Sequence, residues 1–159
     1  MRQRTCCILG NRLLPRGQAD EIAARLEDKI LHLAGHGVTR FFTGGNLGFD
    51  TLAAQAVLRA RAVNPAISLA LVLPSRDQAA KWPAAAVDTY ESIKSMADEI
   101  IYTSDSPARG HLLKRNRFMV DESDYCLTHL SKTSGRTAQT VRYAERTDHV
   151  VINIAEEKA

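Results

Sequence analysis

Three glycines and one aspartate fall within seven residues at Gly44-Gly45-Asn46-Leu47-Gly48-Phe49-Asp50. The segment follows the β-prone run 38–43 and precedes a stretch of helical composition at 51–63. Glycines between a strand and a helix let backbone N–H groups approach an anion closely, and the following helix adds its positive end. Gly44, Gly45 and Gly48 therefore have the chemistry of a phosphate-binding turn. Asp50 works against a phosphate, because its charge has the same sign. Two roles are open to it: a cap on the helix that follows, or an acceptor for a ribose or base. The spacing is not the dinucleotide fingerprint, which requires GxGxxG after the first strand and an acid at the end of the second. It is not a P-loop either, since no GK[ST] is present. Taken alone, the turn is also consistent with a tight connection and nothing more.

A second cluster lies at 112–120. Leu112, Leu113, Asn116, Met119 and Val120 share one helical face, with Asn116 as its polar member and Arg115 and Arg117 on its flanks. Guanidinium groups grip phosphates through forked hydrogen bonds, and an amide reads a base or ribose edge. The alternative is a solvated basic face, with Asn116 bonded to a neighbouring backbone. In a third cluster, Ser134, Gly135 and Thr137 open a helix, where Thr137 either caps it or donates to a phosphate. His32 and His36 stand at i, i+4, but two ligands do not make a metal site, and none is expected. No GxSxG sequence is present, which argues against a nucleophile-elbow serine. Tyr90 reads as core, and Trp82 stays open between core and a surface for stacking on a ligand.

These clusters are spaced by alternating elements. Strands are expected at 5–9, 38–43, 66–74, 99–104, 124–130 and 148–155. Helices are expected at 19–37, 51–63, 84–98, 108–123 and 137–147, and 77–83 reads as a turn or short helix broken by Pro83. Most strands are continuous apolar runs rather than period-two patterns, which is the mark of a parallel sheet covered on both faces. The fold class expected is α/β: a Rossmann-like three-layer sandwich, with a mostly parallel sheet of about six strands and helices on both faces. Ligands of such sheets bind beyond the carboxyl ends of the strands. The loops to watch are therefore Gly10–Gly17, 44–50, 104–110 and 131–137.

The 159 residues fit one domain, 1–159. Apolar residues make up 45% and charged residues 25%, and the net charge of +3 is too small to argue for nucleic acid by itself. Cys6, Cys7 and Cys126 form no disulfide framework and no CxxC pair, so buried thiols in a reducing compartment, the cytoplasm, are expected. No stretch reaches the roughly 18 apolar residues of a membrane helix.

Read in order, "GGNLGFDTLAAQAVL", "KWP…YESI…AD", "KRNRFMVDESD" and "GRTAQTVRYA" resemble the YpsA-like branch of the SLOG superfamily, over nearly the whole chain. That superfamily also holds the LOG nucleotide phosphoribohydrolases and the DNA-processing protein DprA. The resemblance implies a Rossmann-like fold and a pocket lined by Gly44, Gly45, Gly48, Asp50, Arg115, Asn116, Arg117, Gly135 and Thr137. It adds the first loop, Gly10-Asn11-Arg12, where the branch usually reads TGHR; here Asn replaces His, and any role for an imidazole is lost. The last loop usually reads GGT, and here Arg136 takes the second glycine's place, narrowing the pocket or adding a phosphate partner. The LOG motif resembles PGGxGTxxE, with a catalytic glutamate just past the threonine. Ala138, Gln139 and Thr140 follow Thr137 here, and no carboxylate occupies that stretch. Glycosidic cleavage wants a carboxylate at the bond, so the resemblance leans away from an enzyme, with Asp50 the best catalytic candidate if there is one.

The function expected is therefore binding of a nucleotide or nucleotide-derived ligand, of the ADP-ribose, NAD or nucleoside phosphate kind, as a sensor or regulator. No cofactor beyond such a ligand is expected. The first alternative is a LOG-like nucleotide N-glycosidase, and the second is DprA-like binding of single-stranded DNA, with nucleic acid ranked below a small molecule as partner. Homo-oligomers are implied by the family likeness alone.

Overall fold

The computed structural model describes residues 4–105 and 107–156. Strand β1 (Arg4–Gly10) runs through the middle of the sheet. Its Cys6, Cys7 and Ile8 are fully buried, so both faces of the strand are covered, as the unbroken apolar run predicts. The chain then steps outward through α1 (Ala19–Ala34), β2 (Val38–Thr43), α2 (Phe49–Val63), β3 (Ser68–Leu73), α3 (Ala84–Met96) and β4 (Glu99–Tyr102). Helix α4 (His111–Asp121) carries the chain back across the sheet to β5 (Tyr125–His129), on the other side of β1. Helix α5 (Arg136–Arg146) and β6 (Val150–Asn153) complete it. The strand order is β4-β3-β2-β1-β5-β6, and every pairing is parallel.

Alternate strand residues face opposite helical layers. Cys6, Ile8, Phe41, Leu69 and Leu71 pack with α1, α2 and α3. Cys7, Phe42, Ala70, Val72 and Cys126 pack with Met119 and Val120 of α4 and Ala144 of α5. Phe41, Phe42 and Phe49 have no exposed surface, and each contributes roughly 1.5–3 kcal/mol by burial. All three cysteines are free and buried. Among the described residues no helix is long and apolar enough to cross a membrane.

Several boundaries differ from the expected ones, for local reasons. Helix α4 begins at His111 rather than 108, because Gly110 takes a left-handed conformation (φ 79°) just before it. Strand β3 begins at Ser68, because Asn64 folds 64–67 into a turn: its side-chain oxygen accepts from Ala66 N–H and its carbonyl from Ile67 N–H. Helix α2 begins at Phe49, two residues early, with Gly48 as its cap. Strand β6 begins only at Val150, after Asp148 at φ 63°.

Candidate functional site

The sheet reverses its direction of growth between β1 and β5, and the space beyond their carboxyl ends is where such folds hold ligands. A cavity of about 430 Å³ opens there, within the size range of small-molecule sites. Its walls come from the loop after β1, the turn after β2, the inner face of α4 and the start of α5.

The first wall is Gly10, Asn11 and Arg12. Gly10 leaves no room for a side chain, since a Cβ there would fall 2.4 Å from the ring of Phe49. The loop then lies on the β2–α2 turn: a Cβ on Gly48, which sits at φ 79°, would come 1.9 Å from the carbonyl oxygen of Arg12. Gly48 thus serves close packing of two loops and does not line the cavity. Gly45 also faces away, toward Leu73 and Tyr90. Of the three glycines given phosphate chemistry, Gly44 alone reaches the cavity.

Asp50 does not cap α2. The cap is Gly48, which offers no side-chain bond; Asp50 lies inside the first turn and points back, accepting the N–H of Asn46 on Oδ2 at 3.2 Å. Asn46 fixes the turn further, accepting Leu47 N–H at 2.8 Å and the Thr51 hydroxyl on its carbonyl at 3.0 Å. Burial raises the Asp50 carboxyl above its ordinary pKa, while the positive charge of Arg115 and the Asn46 N–H work against that rise.

Arg115 is 4% exposed and is not part of a solvated basic face. Its Nη1 donates to the carbonyls of Gly44 and Val72, the latter at 3.3 Å, and its Nε donates to Asn116 Oδ1 at 2.8 Å. Most of the fork expected for a phosphate therefore ties the ends of β2 and β3 to α4, leaving Nη2 without a protein acceptor among the described residues. Burial lowers its pKa, Asp50 supports the charge, and Arg136 opposes it. Asn116, 8% exposed, lines the cavity with its NH2 group unpaired among the described residues. Arg117 points elsewhere: its guanidinium lies 4.8 Å over the ring of Tyr143, joining α4 to α5 outside the cavity.

The fourth wall is Lys132, Ser134, Gly135, Arg136 and Thr137. Gly135 caps α5 at φ 99° with no side-chain bond, so the first N–H groups of the helix lack the usual cap. Thr137 is not that cap: its hydroxyl donates to Gly10 O at 3.1 Å, tying α5 to the end of β1. Arg136 and Lys132 add two exposed cations at this end.

Leu13, Asn46, Leu47 and Lys132 also line the cavity, although nothing in their residue types singles them out. All lie in loops already singled out, and the sequence does not say which loop residues point inward. The loop after β4 stands apart, where Tyr102, Thr103, Ser104, Asp105 and Lys114 border a separate cavity of about 350 Å³. Trp82 packs edge-on against Tyr90 at 5.1 Å and does not line the main cavity. His36 Nδ1 is spent on the carbonyl of His32 at 2.9 Å.

Fold and cavity together define a doubly wound, Rossmann-like α/β protein with a polar cleft at its switch point. The chain belongs to the YspA SLOG family, whose YpsA profile matches residues 16–155. A UPF0398 protein of Halalkalibacterium halodurans is 31% identical over 105 residues, covering 65% of this chain and 56% of that protein. The uncharacterized SPbeta prophage-derived protein YoqJ of Bacillus subtilis is 28% identical over 142 residues, covering 77% of this chain and 82% of YoqJ. DNA processing protein A of Streptococcus pneumoniae shares the fold with a TM-score of 0.64 and 15% identity, over 93% of this chain and 49% of its own. The Helicobacter pylori protein of the same name, described for a single-stranded DNA binding mode, has a TM-score of 0.59 and 21% identity, over 90% of this chain and 62% of its own. This chain therefore spans about half the length of the first relative and of the pneumococcal structure.

Proposed function

We propose that this protein binds a nucleotide or nucleotide-derived ligand in the switch-point cleft, as a sensor or regulator. The observation that carries this reading is the division of charge within one cavity. The uncapped start of α5, with Arg136 and Lys132, forms an anion-accepting end. Asp50 and Asn116 on the floor are hydrogen-bonding groups that suit the uncharged part of a ligand better than its phosphates. Calorimetry with ADP, AMP and ADP-ribose tests the reading. Saturable heat from at least one of them is expected, and a folded chain silent to all three overturns it. The same mixtures, assayed for free adenine, test the N-glycosidase alternative, which lacks a carboxylate after Thr137 and would have to use Asp50.

Single-stranded DNA is the second reading. The fold likeness to the Helicobacter protein favours it, and exposed Arg12, Lys132 and Arg136 border the cleft. Its signature is affinity for an oligonucleotide that falls steeply with salt. A shallow salt slope, with tight binding of a mononucleotide, removes it.

A further inference from the structure

The floor of the cleft carries hydrogen-bonding capacity that the protein does not use. Asp50 accepts one N–H on Oδ2, and its Oδ1 has no donor among the described residues. The side-chain oxygen of Asn11 has no partner among the described residues, but it is closed off from solvent and does not face the ligand space. The NH2 group of the nine-tenths-buried Asn116 has no acceptor among the described residues, and its oxygen alone is engaged, by Arg115. Asp50 and Asn116 line the same cavity, and neither free group is cut off from it, so both can meet a ligand there.

The group that fits must donate to the Asp50 carboxylate while accepting from the Asn116 NH2 and from the free Nη2 of Arg115. A phosphate can accept from these donors but has nothing to donate to Asp50, whose charge repels it. A base edge fits poorly as well, since none of the described lining residues is aromatic and the floor offers no ring for a base to stack on. A hydroxyl is donor and acceptor at once, and a pair of neighbouring hydroxyls serves Asp50 and Asn116 together.

We propose that Asp50 is a specificity-determining residue that, with Asn116, reads the vicinal 2′,3′-hydroxyls of a ribose, so that the cleft selects ribonucleotides over 2′-deoxyribonucleotides. This rests on the nucleotide reading given above. It sets the ligand's direction, with ribose on the floor and phosphates toward Lys132, Arg136 and the start of α5.

The test is calorimetry on the full chain with ADP, 2′-deoxy-ADP and ADP-ribose, repeated with Asp50→Asn. ADP should bind at least about tenfold more tightly than its deoxy counterpart, the scale of a lost hydrogen bond to a charged group. Asp50→Asn should abolish most of that difference while retaining weakened binding of both. Equal affinity of ADP and 2′-deoxy-ADP overturns the ribose assignment and leaves the nucleotide reading standing. Discrimination that survives Asp50→Asn overturns the role of Asp50. Silence from all three ligands overturns both readings. Circular dichroism checks that the variant folds, and Asp50→Ser is the second variant should the amide be tolerated poorly.

Discussion

Gly48 offers the sharpest test of how the cleft is assembled. Its backbone, at φ 79° and ψ −119°, lies in a region that residues with a Cβ rarely adopt. Alanine there costs of order 1–3 kcal/mol through the backbone alone. A second cost comes from space, because the new Cβ would stand 1.9 Å from the carbonyl oxygen of Arg12. That atom is main chain, so relief requires moving the loop that carries Asn11 and Arg12. Overpacking of this kind adds typically about 1–3 kcal/mol.

Gly135 separates the two costs. It also has positive φ, at 99°, yet nothing lies within 4 Å of where its Cβ would be. Gly135→Ala should therefore lose the backbone contribution alone, and Gly48→Ala should exceed it by at least about 1 kcal/mol. Urea unfolding of the two variants and the parent chain measures this directly. Equal midpoints for the two variants would refute the claim that the β1 and β2 loops are held in register by contact at Gly48. Binding of ADP supplies an independent readout, since a displaced Asn11–Arg12 segment should weaken it in Gly48→Ala. Parent-like affinity in a clearly destabilised Gly48→Ala would show that the β1 loop does not shape the cleft.

Arg115→Ala should cost about 3–5 kcal/mol in urea unfolding, because it leaves the carbonyls of Gly44 and Val72 and the Asp50 charge without their partner. Arg117→Ala should cost only about 0.5–1 kcal/mol, the worth of an exposed contact between a cation and a ring, with ADP affinity unchanged in calorimetry. Because burial raises the Asp50 carboxyl, the folded chain holds that proton more tightly than the unfolded one. Its contribution is full below the unfolded carboxyl's pKa and is lost as pH rises through the folded value. The stability difference between the parent chain and Asp50→Asn should therefore favour the parent most at acid pH, as urea midpoints across pH 3–7 would report. Glu99 should show the opposite trend, since Arg40 lowers its carboxyl: the parent's advantage over Glu99→Gln, about 0.5 kcal/mol for so exposed a pair, is present at neutral pH and lost in acid.

The fold was legible because its signals are local and repeated. Apolar runs such as Cys6 to Leu9 and the helical spacing of Ile22, Leu26, Ile30 and Leu33 define strand and helix before any contact is known. Strand order is not local, so nothing in the sequence separated the β4 loop from the other three. As an edge strand, β4 lies three strands from β1, which leaves that loop beside its own cavity. Side-chain direction is the other hidden variable. Arg115 and Arg117 look equivalent in the sequence, yet Leu112, Arg115, Asn116, Met119 and Val120 follow the i, i+3, i+4, i+7, i+8 pattern of a buried stripe, and Arg117 falls off it. Its charge drew attention to Arg115, whereas its register predicts burial. Similarly, glycine can mark close approach of a ligand or of another loop, and only the neighbours distinguish Gly44 from Gly48.

The same contacts build the cleft and close the sheet's carboxyl edge. Thr137 joins α5 to β1, Arg115 joins α4 to β2 and β3, and Gly48 seats the β1 loop on the β2 turn. None of these contacts uses a group that the ribose assignment needs: Asp50 Oδ1 and the Asn116 NH2 group stay unpaired among the described residues while the walls are held. A scaffold that spends its arginine and threonine on its own backbone can keep a carboxylate and an amide open to one space without their pairing with each other. That arrangement is pre-organised, so little ordering cost should remain for a ligand to meet on entry. It also makes ligand affinity and fold stability separable by position. Changes at Thr137, Arg115 or Gly48 should alter both together, whereas changes at the free end of Asn116 should reach the ligand first.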